Sequence, residues 1–272
     1  MNISVVVVGA AGRMGREVVR AVAEADGLEP AAAVDTHEVG ADAGTLAGMG
    51  AIGVSVEADL AAALARTRPA VLVDFTLPGS VLANIRTALA HGVSPVVGTT
   101  GLSASDLAEI DDMARKAGIG AFVAPNFAIG AVLMMQFAAQ AAKHLPDVEI
   151  IELHHEKKVD SPSGTALLTA KKIQEARRSA AVSPVPSPDG LVEKAPGARG
   201  ARSETTGDVP IHSVRLPGFV AHQEVIFGGI GQILTIRHDS IDRRSFMPGV
   251  ILAIRKVRGL TGLVVGLEHL LE

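Results

Sequence analysis

The first fifteen residues constrain the fold more than any other stretch of the chain. Residues 3–8 read ISVVVV, an almost unbroken β-branched run that is typical of a parallel strand buried on both faces. A glycine-rich turn over residues 9–15 follows at once, and residues 16–25 then carry apolar side chains at helical spacing. A second strand is predicted over residues 30–34 and ends in Asp35. The pattern therefore predicts a strand, a glycine turn, a helix, a strand and an acidic residue in succession.

The glycines of this turn follow the pattern G-x-x-G-x-x-G. Such a turn lets a pyrophosphate approach backbone N–H groups at a helix N-terminus, and an acidic residue at the end of the next strand accepts hydrogen bonds from ribose hydroxyls. In this context the turn predicts dinucleotide binding, and the alternative is a structural turn with a solvated Asp35. The expected cofactor contacts here are Gly9, Ala10, Ala11, Gly12, Arg13, Met14 and Asp35.

The choice between the two nicotinamide cofactors rests on three side chains. The carboxylate of Asp35 repels a 2′-phosphate and so favours NADH. His37 and Arg13 lie close enough in the sequence to neutralise that phosphate. We therefore expect NADH to be preferred or equal, and NADPH to be tolerated.

Predicted strands and helices alternate over roughly the first 125 residues, which indicates a doubly wound parallel sheet. The further strands are predicted over residues 71–75, 94–97 and 120–123, and the helices over residues 57–66, 81–90 and 103–117. Ligands bind at the carboxyl ends of strands in such sheets. Two loops at predicted strand ends suit a nicotinamide ring and its ribose, although either loop could be an ordinary connection. Their residues are Gly98, Thr99 and Thr100, and Ala124, Pro125, Asn126 and Phe127.

The stretch at residues 152–166, ELHHEKKVDSPSGTA, combines a proton carrier with a cation. His154 and His155 end a predicted strand, so their side chains are expected to point to opposite faces. Lys158 follows within reach of the same pocket. The alternatives are a structural histidine or a His-His metal site. We expect no metal, because Glu152 would share a face with only one of the histidines and no third ligand is suitably spaced.

The small residues that follow the lysine predict a helix start able to bind an anion. Ser161 is the predicted N-cap, Pro162 suits the first helical position, and a helix-like run follows over residues 166–177. A carboxylate at such a helix N-terminus accepts backbone N–H bonds. The residues expected to hold it are Ser163, Gly164 and Thr165.

This stretch resembles the signature of the dihydrodipicolinate reductase family, in which His-His-x-x-Lys precedes Asp-x-Pro-Ser-Gly-Thr-Ala. The likeness continues in order through the glycine turn with Arg13-Met14-Gly15, GTTG at residues 98–101 and APNFAIG at residues 124–130, and it covers essentially the whole chain. The chain also resembles actinobacterial members in reading His222-Gln223-Glu224 where many others read Gly-Glu-His.

The resemblance implies a step of the diaminopimelate route to lysine, the reduction of 4-hydroxy-tetrahydrodipicolinate to tetrahydrodipicolinate. NADH or NADPH would deliver hydride to ring C4 of this cyclic dicarboxylate, and C3 would then be protonated. Carried over by position, His154 is the proton donor, Lys158 is a cationic partner that can also donate, and His155 contacts substrate. The carboxylate-binding residues become Ser163, Gly164 and Thr165. A homotetramer is also implied.

The remaining residues predict a second, smaller α+β domain with a four-stranded mixed sheet. Its strands are predicted over residues 148–155, 211–215, 219–227 and 232–238, with helices over residues 130–144 and 166–177 on one face. The other face is the expected oligomer surface. Residues 178–207 are rich in Pro, Gly and Ser and are predicted to form a long loop. A final helix is predicted over residues 244–257.

We therefore expect an α/β fold built from a Rossmann-type doubly wound sheet and this smaller domain. The dinucleotide-binding domain is predicted over residues 1–126 and 239–272, because family members return the C-terminal tail to the nucleotide domain. The substrate-binding and oligomerisation domain is predicted over residues 127–238.

Composition removes several other classes of protein. A net charge of −4, from 25 Lys and Arg against 29 Asp and Glu, argues against nucleic-acid binding. The absence of Cys excludes disulfides and a cysteine nucleophile, disfavours aspartate-semialdehyde-type enzymes, and fits a cytoplasmic protein. No apolar run reaches about 18 residues, so no membrane span is expected. Another NAD(P)-dependent oxidoreductase and a non-catalytic NAD(H)-binding regulator remain as alternatives.

Overall fold

The computed structural model describes residues 2–145, 147–180, 205–206 and 209–271. The chain divides into two compact units, one comprising Met1–Ile129 with Arg243–Glu272 and the other comprising Gly130–Asp242. Most of the loop predicted over residues 178–207 lies outside the described residues.

The first unit is built on a seven-stranded parallel sheet. Its strands are β1 (Ile3–Val8), β2 (Leu28–Val34), β3 (Val56–Glu57), β4 (Val71–Asp74), β5 (Ser94–Val97), β6 (Gly120–Val123) and, after the strands of the second unit, β12 (Gly262–Val265). The strand order is β12-β6-β5-β4-β1-β2-β3. The predicted doubly wound parallel sheet is confirmed, and β1 lies inside it with β2 and β4 as neighbours.

Helices alternate with these strands. They are α1 (Arg13–Glu24), α2 (Ala43–Leu46), α3 (Leu60–Thr67), α4 (Pro78–Ala90), α5 (Ala104–Ala117) and α8 (Met247–Val257), with 3-10 turns at Arg243–Phe246 and Leu267–Leu270. Val5, Val6 and Val7 of β1 are fully buried, and Val18 and Val22 of α1 are fully buried as well. The β-branched run is therefore the centre of this unit's core, as a strand covered on both faces requires.

Several predicted helix boundaries of this unit were wrong, and the first helix begins at Arg13 rather than at residue 16. The helix predicted over residues 57–66 begins at Leu60, because residues 56–57 pair as strand β3 and Asp59 caps the helix through the N–H of Ala62 at 3.0 Å. Helix α4 begins at Pro78 rather than residue 81, with the proline in the first turn where its missing N–H costs nothing. The helix predicted over residues 244–257 is split into a 3-10 turn followed by α8. Helix α5 begins with a capping box formed by Ser103 and Asp106.

The second unit is a mixed sheet with two helices, α6 (Ile129–Ala141) and α7 (Gly164–Ser179). Its strands are β7 (Asp147–His154), β8 (Thr205–Thr206), β9 (Val209–Arg215), β10 (Ala221–Gly229) and β11 (Gln232–Ser240), in the order β11-β10-β7-β9-β8. Strands β7 and β9 are parallel and the other pairs are antiparallel. The predicted four-stranded mixed sheet is confirmed, with the two-residue β8 added at one edge. Helix α6 ends three residues before the predicted residue 144, and β10 begins two residues after the predicted residue 219.

The two faces of this sheet differ. On one face, Ile150, Val225 and Phe227 are fully buried, and Gln223 donates to the hydroxyl of Thr169 on α7 at 2.7 Å. Helix α7 therefore covers this face, as predicted for the helix after Thr165. The opposite face carries partly buried apolar residues at the alternate positions Ile151, Leu153 and Ile226. Among the helices of the described residues, none is long and apolar enough to cross a membrane.

Candidate active site

The start of α7 differs from the prediction by two residues. Ser163, rather than Ser161, is the N-cap, and its hydroxyl accepts the N–H of Ala166 at 3.2 Å. Its backbone is extended, at φ −67° and ψ 149°, which is the conformation of a residue just outside a helix. Pro162 is therefore not the first helical residue; Gly164 is, and it is exposed.

The pairing of β7 with β9 determines which side chains meet beside this helix. The parallel register sets Ser213 beside Glu152 and Arg215 beside His154. Glu152 and His154 are two residues apart on β7 and so share a face. The register of the two strands, rather than closeness in the sequence, therefore brings Arg215 of β9 to Glu152 and His154 of β7.

The Glu152 carboxylate collects donors from three segments of the chain. Its Oε2 is hydrogen-bonded to Nδ1 of His154 and accepts from Nη1 of Arg215 at 2.9 Å. Its Oε1 accepts from Nη2 of Arg215 at 2.7 Å and from the backbone N–H of Ser163 at 3.2 Å. The Glu152 side chain is fully buried, and those of His154 and Arg215 are 13% and 19% exposed. One buried carboxylate therefore contacts both the histidine and the N-cap of α7.

The carboxylate is ionised across the physiological range. Burial alone raises the pKa of Glu152, but hydrogen bonds from His154 and Arg215 outweigh burial and lower this pKa from 4.5 to about 2. An ionised carboxylate only accepts hydrogen bonds. Nδ1 of His154 must then carry its hydrogen toward Glu152, which leaves Nε2 as the ring nitrogen that can exchange a proton.

Lys158 is held by a carboxylate of its own. Its ammonium donates to the two carboxylate oxygens of Asp160 at 2.7 and 2.8 Å, and this contact lowers the pKa of Asp160. Nη2 of Arg215 also donates to the backbone oxygen of Asp160 at 2.7 Å. The loop that carries the lysine is thereby tied to the same guanidinium that binds Glu152.

The glycine turn of the first unit has the geometry that a pyrophosphate needs. Gly9 has φ +80°, and a Cβ added there would lie 2.9 Å from the carbonyl oxygen of Phe75. A Cβ added at Gly15 would lie 1.9 Å from the oxygen of Gly9, so only glycine lets α1 approach the turn this closely. Gly12 caps α1 without any side-chain hydrogen bond to the first-turn N–H groups. These observations fit a phosphate group at the N-terminus of α1.

The acid after β2 is attached to this turn. Asp35 accepts the N–H of Ala11 through Oδ2 at 3.0 Å and the N–H of His37 through Oδ1 at 3.0 Å. The imidazole of His37 is 85% exposed and its Nδ1 lies 3.5 Å from Asp35. The expected acidic residue and one expected neutralising group are therefore neighbours.

The two loops at the ends of β5 and β6 present different groups. Thr99 is buried and donates its hydroxyl to Asp74 at 2.8 Å, whereas Thr100 is exposed. Phe127 is 2% exposed, and its ring packs against Phe75 and Phe122 at 5.7 and 5.9 Å between centroids. The ring of Phe127 is thus part of the core. In the same loop Pro125 is exposed, and Asn126 is half-buried and accepts the N–H of Ala128 through its side-chain oxygen at 2.8 Å.

Comparison with known proteins assigns the chain to a family. The family model described as dihydrodipicolinate reductase, N-terminus, matches residues 3–127, and the model described as dihydrodipicolinate reductase, C-terminus, matches residues 130–271. The chain belongs to the dihydrodipicolinate reductase family.

Relatives and a solved structure agree over the full length. A Moorella thermoacetica protein named 4-hydroxy-tetrahydrodipicolinate reductase is 53% identical over 271 residues, which is 100% of this chain and 98% of that protein. One of the same name from Desulfitobacterium hafniense is 51% identical and covers 100% of this chain and 99% of its own length. The dipicolinate-bound dihydrodipicolinate reductase from Paenisporosarcina sp. TG-14 has a TM-score of 0.85 and 42% identity, covering 99% of each chain.

The residues predicted from the sequence fall into two sets, the expected cofactor contacts of the first unit and the expected catalytic and substrate-binding residues of the second unit. In the second unit, Glu152 brings His154 and Ser163 together, and Lys158 joins them through Asp160. The ring of His155 makes no hydrogen bond among the described residues, and its position beyond the last residue of β7 leaves the predicted substrate contact as a prediction.

Two residues were missed or undervalued. The sequence places Glu152 on the same face as one of the two histidines, but the hydrogen bond between its carboxylate and His154 is not predicted. Arg215 lies 63 residues from Glu152, and only the register of β7 with β9 brings it there. Within the described part of the chain, no group of three or more His, Asp or Glu side chains could hold a metal ion.

Proposed function

We propose that this chain is a 4-hydroxy-tetrahydrodipicolinate reductase of lysine biosynthesis, which forms tetrahydrodipicolinate with NADH or NADPH. The observation that carries the proposal is the linkage of His154 to the N-terminus of α7 through Glu152, within a chain that matches the family over its whole length. A dicarboxylate substrate needs an anion site, and the reduced ring needs a proton donor. Both lie beside one carboxylate in the second unit.

Bound NAD(P)H supplies hydride, here to ring C4 of the substrate. The chain's own residues then have separate tasks. His154 gives a proton from Nε2 to C3, because Nδ1 is engaged by Glu152. Lys158 supplies positive charge, and a substrate carboxylate would compete with Asp160 for its ammonium. Ser163, Gly164 and Thr165 hold a carboxylate at the start of α7, and His155 contacts the ring system.

Cofactor selection is proposed to depend on Asp35 and its neighbours. The glycine turn with Gly9, Gly12 and Gly15 receives the pyrophosphate, and Asp35 accepts ribose hydroxyls. His37 lies beside Asp35 and is exposed, so it is available to offset a 2′-phosphate. We therefore propose use of NADH, preferred or equal, with NADPH accepted. The dinucleotide-binding role is assigned to the first unit and the substrate-binding role to the second.

The exposed face of the second sheet is the proposed site of a homotetramer. Ile151, Leu153 and Ile226 line that face, and Ile233 of the edge strand β11, which pairs with Gly228 and so shares the face of Ile226, is 77% exposed. Exposed apolar side chains on a sheet face are typical of a protein–protein contact. Light scattering at several protein concentrations tests the tetramer. A cytoplasmic location is proposed because the reaction draws on the cellular NAD(P)H pool.

A coupled assay tests the proposed function. Dihydrodipicolinate synthase with pyruvate and aspartate semialdehyde generates the substrate, and the loss of reduced nicotinamide absorbance is followed with NADH and NADPH in turn. We expect turnover with both cofactors. Tight cofactor binding without turnover of either would instead support a non-catalytic NAD(H)-binding protein.

Substitution of His154 then tests the assigned chemistry. His154→Ala is expected to lower kcat by roughly 10²–10⁴-fold, the usual contribution of a general acid. His144→Ala is the matched control, because His144 is an exposed histidine of the same unit. Lys158→Ala is expected to lower kcat similarly and to raise the KM for the dicarboxylate. Near-parental kinetics in both site variants would contradict the assigned roles.

A further inference from the structure

Glu152 joins the two parts of the proposed substrate site. Through Oε2 it holds His154, the proposed proton donor, and through Oε1 it holds the N–H of Ser163, the N-cap of the proposed carboxylate-binding helix. Arg215 donates to both oxygens. Four donors thus share one carboxylate, which has about four lone-pair positions to offer.

The nature of these donors determines which ring nitrogen of His154 carries a hydrogen and how the ring is oriented. A guanidinium and a backbone N–H can only donate, so the group between them must accept through both oxygens. The nitrogen of His154 that faces Glu152 must then be protonated, whichever charge the ring carries. An unheld imidazole has two neutral tautomers and rotates freely, and one carboxylate at Nδ1 removes both freedoms.

We infer that Glu152 is a positioning residue for the protonation step. It keeps the hydrogen of the neutral ring on Nδ1, so that Nε2 of His154 is the nitrogen that gains and gives up the transferred proton, and it fixes that ring relative to the N-terminus of α7. This inference rests on the proposed function of the site. In the step, the Nε2–H bond of the imidazolium breaks and its electron pair stays on nitrogen. The enamine double bond supplies the pair that forms the C3–H bond, so His154 is left neutral with its Nδ1 hydrogen still directed at Glu152.

A purely structural role for Glu152, as the partner of Arg215, makes different predictions. It would cost stability when Glu152 is changed, but it would leave the tautomer of His154 and the kcat of the folded protein unaffected. The two roles can therefore be distinguished by the tautomer of His154, measured spectroscopically, and by whether a change at Glu152 alters kcat or KM.

The first test uses the parent protein and needs no turnover. With ¹⁵N-labelled histidine, the His154 signals are identified by their loss in His154→Gln, and the ring nitrogens are assigned by two-bond couplings. We expect the neutral ring to carry its hydrogen on Nδ1. A neutral ring with its hydrogen on Nε2 would overturn the inference, even if the protein proves to be an active reductase.

The second test compares substitutions at two carboxylates of the same strand. Glu152→Gln offers one acceptor oxygen in place of two, whereas Glu152→Asp keeps the charge on a shorter arm. Glu149→Gln is the matched control, because Glu149 also contacts a histidine, His212, at 2.8 Å. Its side chain lies on the opposite face of the sheet from Glu152, three residues away on β7.

We expect Glu152→Gln to lower kcat by roughly 10²-fold, with the KM for NADH within about twofold, because the proton donor is misaligned while the cofactor turn is untouched. Glu152→Asp should recover part of that loss, and Glu149→Gln should behave as the parent.

A folded Glu152→Gln with a kcat within about threefold of the parent would refute the inference. If Glu152→Gln does not fold, the kcat of Glu152→Asp decides in its place: a parental kcat overturns the inference, and a reduced kcat with an unchanged NADH KM supports it. Failure of the parent itself in the coupled assay would instead refute the proposed function, and the tautomer measurement would still decide the role of Glu152.

Discussion

Each unit of the molecule contains a fully buried carboxylate near the end of a strand, and the two are satisfied in different ways. Asp74 ends β4, and its Oδ1 accepts from the N–H and hydroxyl of Thr76 and from the hydroxyl of Thr99, at 2.8–2.9 Å. Its Oδ2 accepts from Asn84 at 2.8 Å. Glu152 on β7 also receives four donors, but three of them come from Arg215 and His154.

The two carboxylates differ in the charge of their hydrogen-bond donors and in whether those donors can also act as acceptors. Among the described residues, Asp74 forms no salt bridge, and two of its partners are hydroxyls that can also accept. Arg215 and the N–H of Ser163 can only donate. Asp74 therefore fastens the loops at the ends of β4 and β5, where the cofactor is expected. Glu152 instead balances a charge beside a group that is expected to change its protonation state.

The largest expected effect of this difference is on stability. Replacing each carboxylate by its amide leaves Glu152→Gln with an NH₂ group facing donors that cannot reverse, at a cost of about 3 kcal/mol. Asp74→Asn can pair its NH₂ group with the hydroxyl of Thr76 or Thr99 after these rotate, at a cost of about 1 kcal/mol. Urea unfolding of both variants near neutral pH measures the two costs.

Glu149→Gln is the control for these measurements, since Glu149 is only partly buried on the same strand, and we expect a change within about 0.5 kcal/mol. Equal losses of unfolding free energy for Asp74→Asn and Glu152→Gln would show that it does not matter whether the donors can also accept a hydrogen bond. The contrast between the two carboxylates would then fail.

Acid should erase part of the stability that Glu152 provides. The pKa of Glu152 is lowered by folding, from 4.5 to about 2. A lowered pKa means that the folded state binds the proton less readily than the unfolded state, so the contribution is complete above pH 4.5 and is lost as the pH falls toward about 2. By about pH 3, roughly 2 kcal/mol should be gone.

The measurement is the difference in unfolding free energy between the parent and Glu152→Gln as a function of pH. This difference should be constant above about pH 6 and shrink steadily below pH 4.5. A difference that stays constant down to about pH 3 would mean that the carboxylate does not ionise in the way its donors require.

How far the sequence predicts each carboxylate site follows from how local its partners are. The partners of Asp74 lie within 25 residues, and the loop that begins at Gly98 was already expected at a strand end. The cofactor turn could be predicted for the same reason, because a buried strand, three glycines and an acid all lie within 35 residues. Patterns of this kind are read directly from hydrophobic period and turn chemistry.

The site around Glu152 was predicted only in part. The histidine, the lysine and the helix start lie within fifteen residues and are identified by the sequence pattern, which predicts Ser161 rather than Ser163 as the N-cap. Arg215 could not be found, because its position depends on the parallel register of β7 and β9 across 63 residues. Without Arg215, Glu152 had no visible reason to be ionised and buried.

The smallest expected effect concerns one hydroxyl on Asp74. Thr99→Val keeps the shape of the side chain and removes one of three donors from Oδ1, at a cost of about 1 kcal/mol. Because Thr99 anchors the loop expected to contact the nicotinamide, the KM for NADH should rise several-fold while kcat changes by less than about twofold, as for the loss of uniform binding. Thr87→Val, which removes an exposed hydroxyl from α4, is the control and should leave both quantities unchanged. A fall in kcat with an unchanged KM would place the loop in the chemical step, and Asp74 would then resemble Glu152 in function despite its neutral partners.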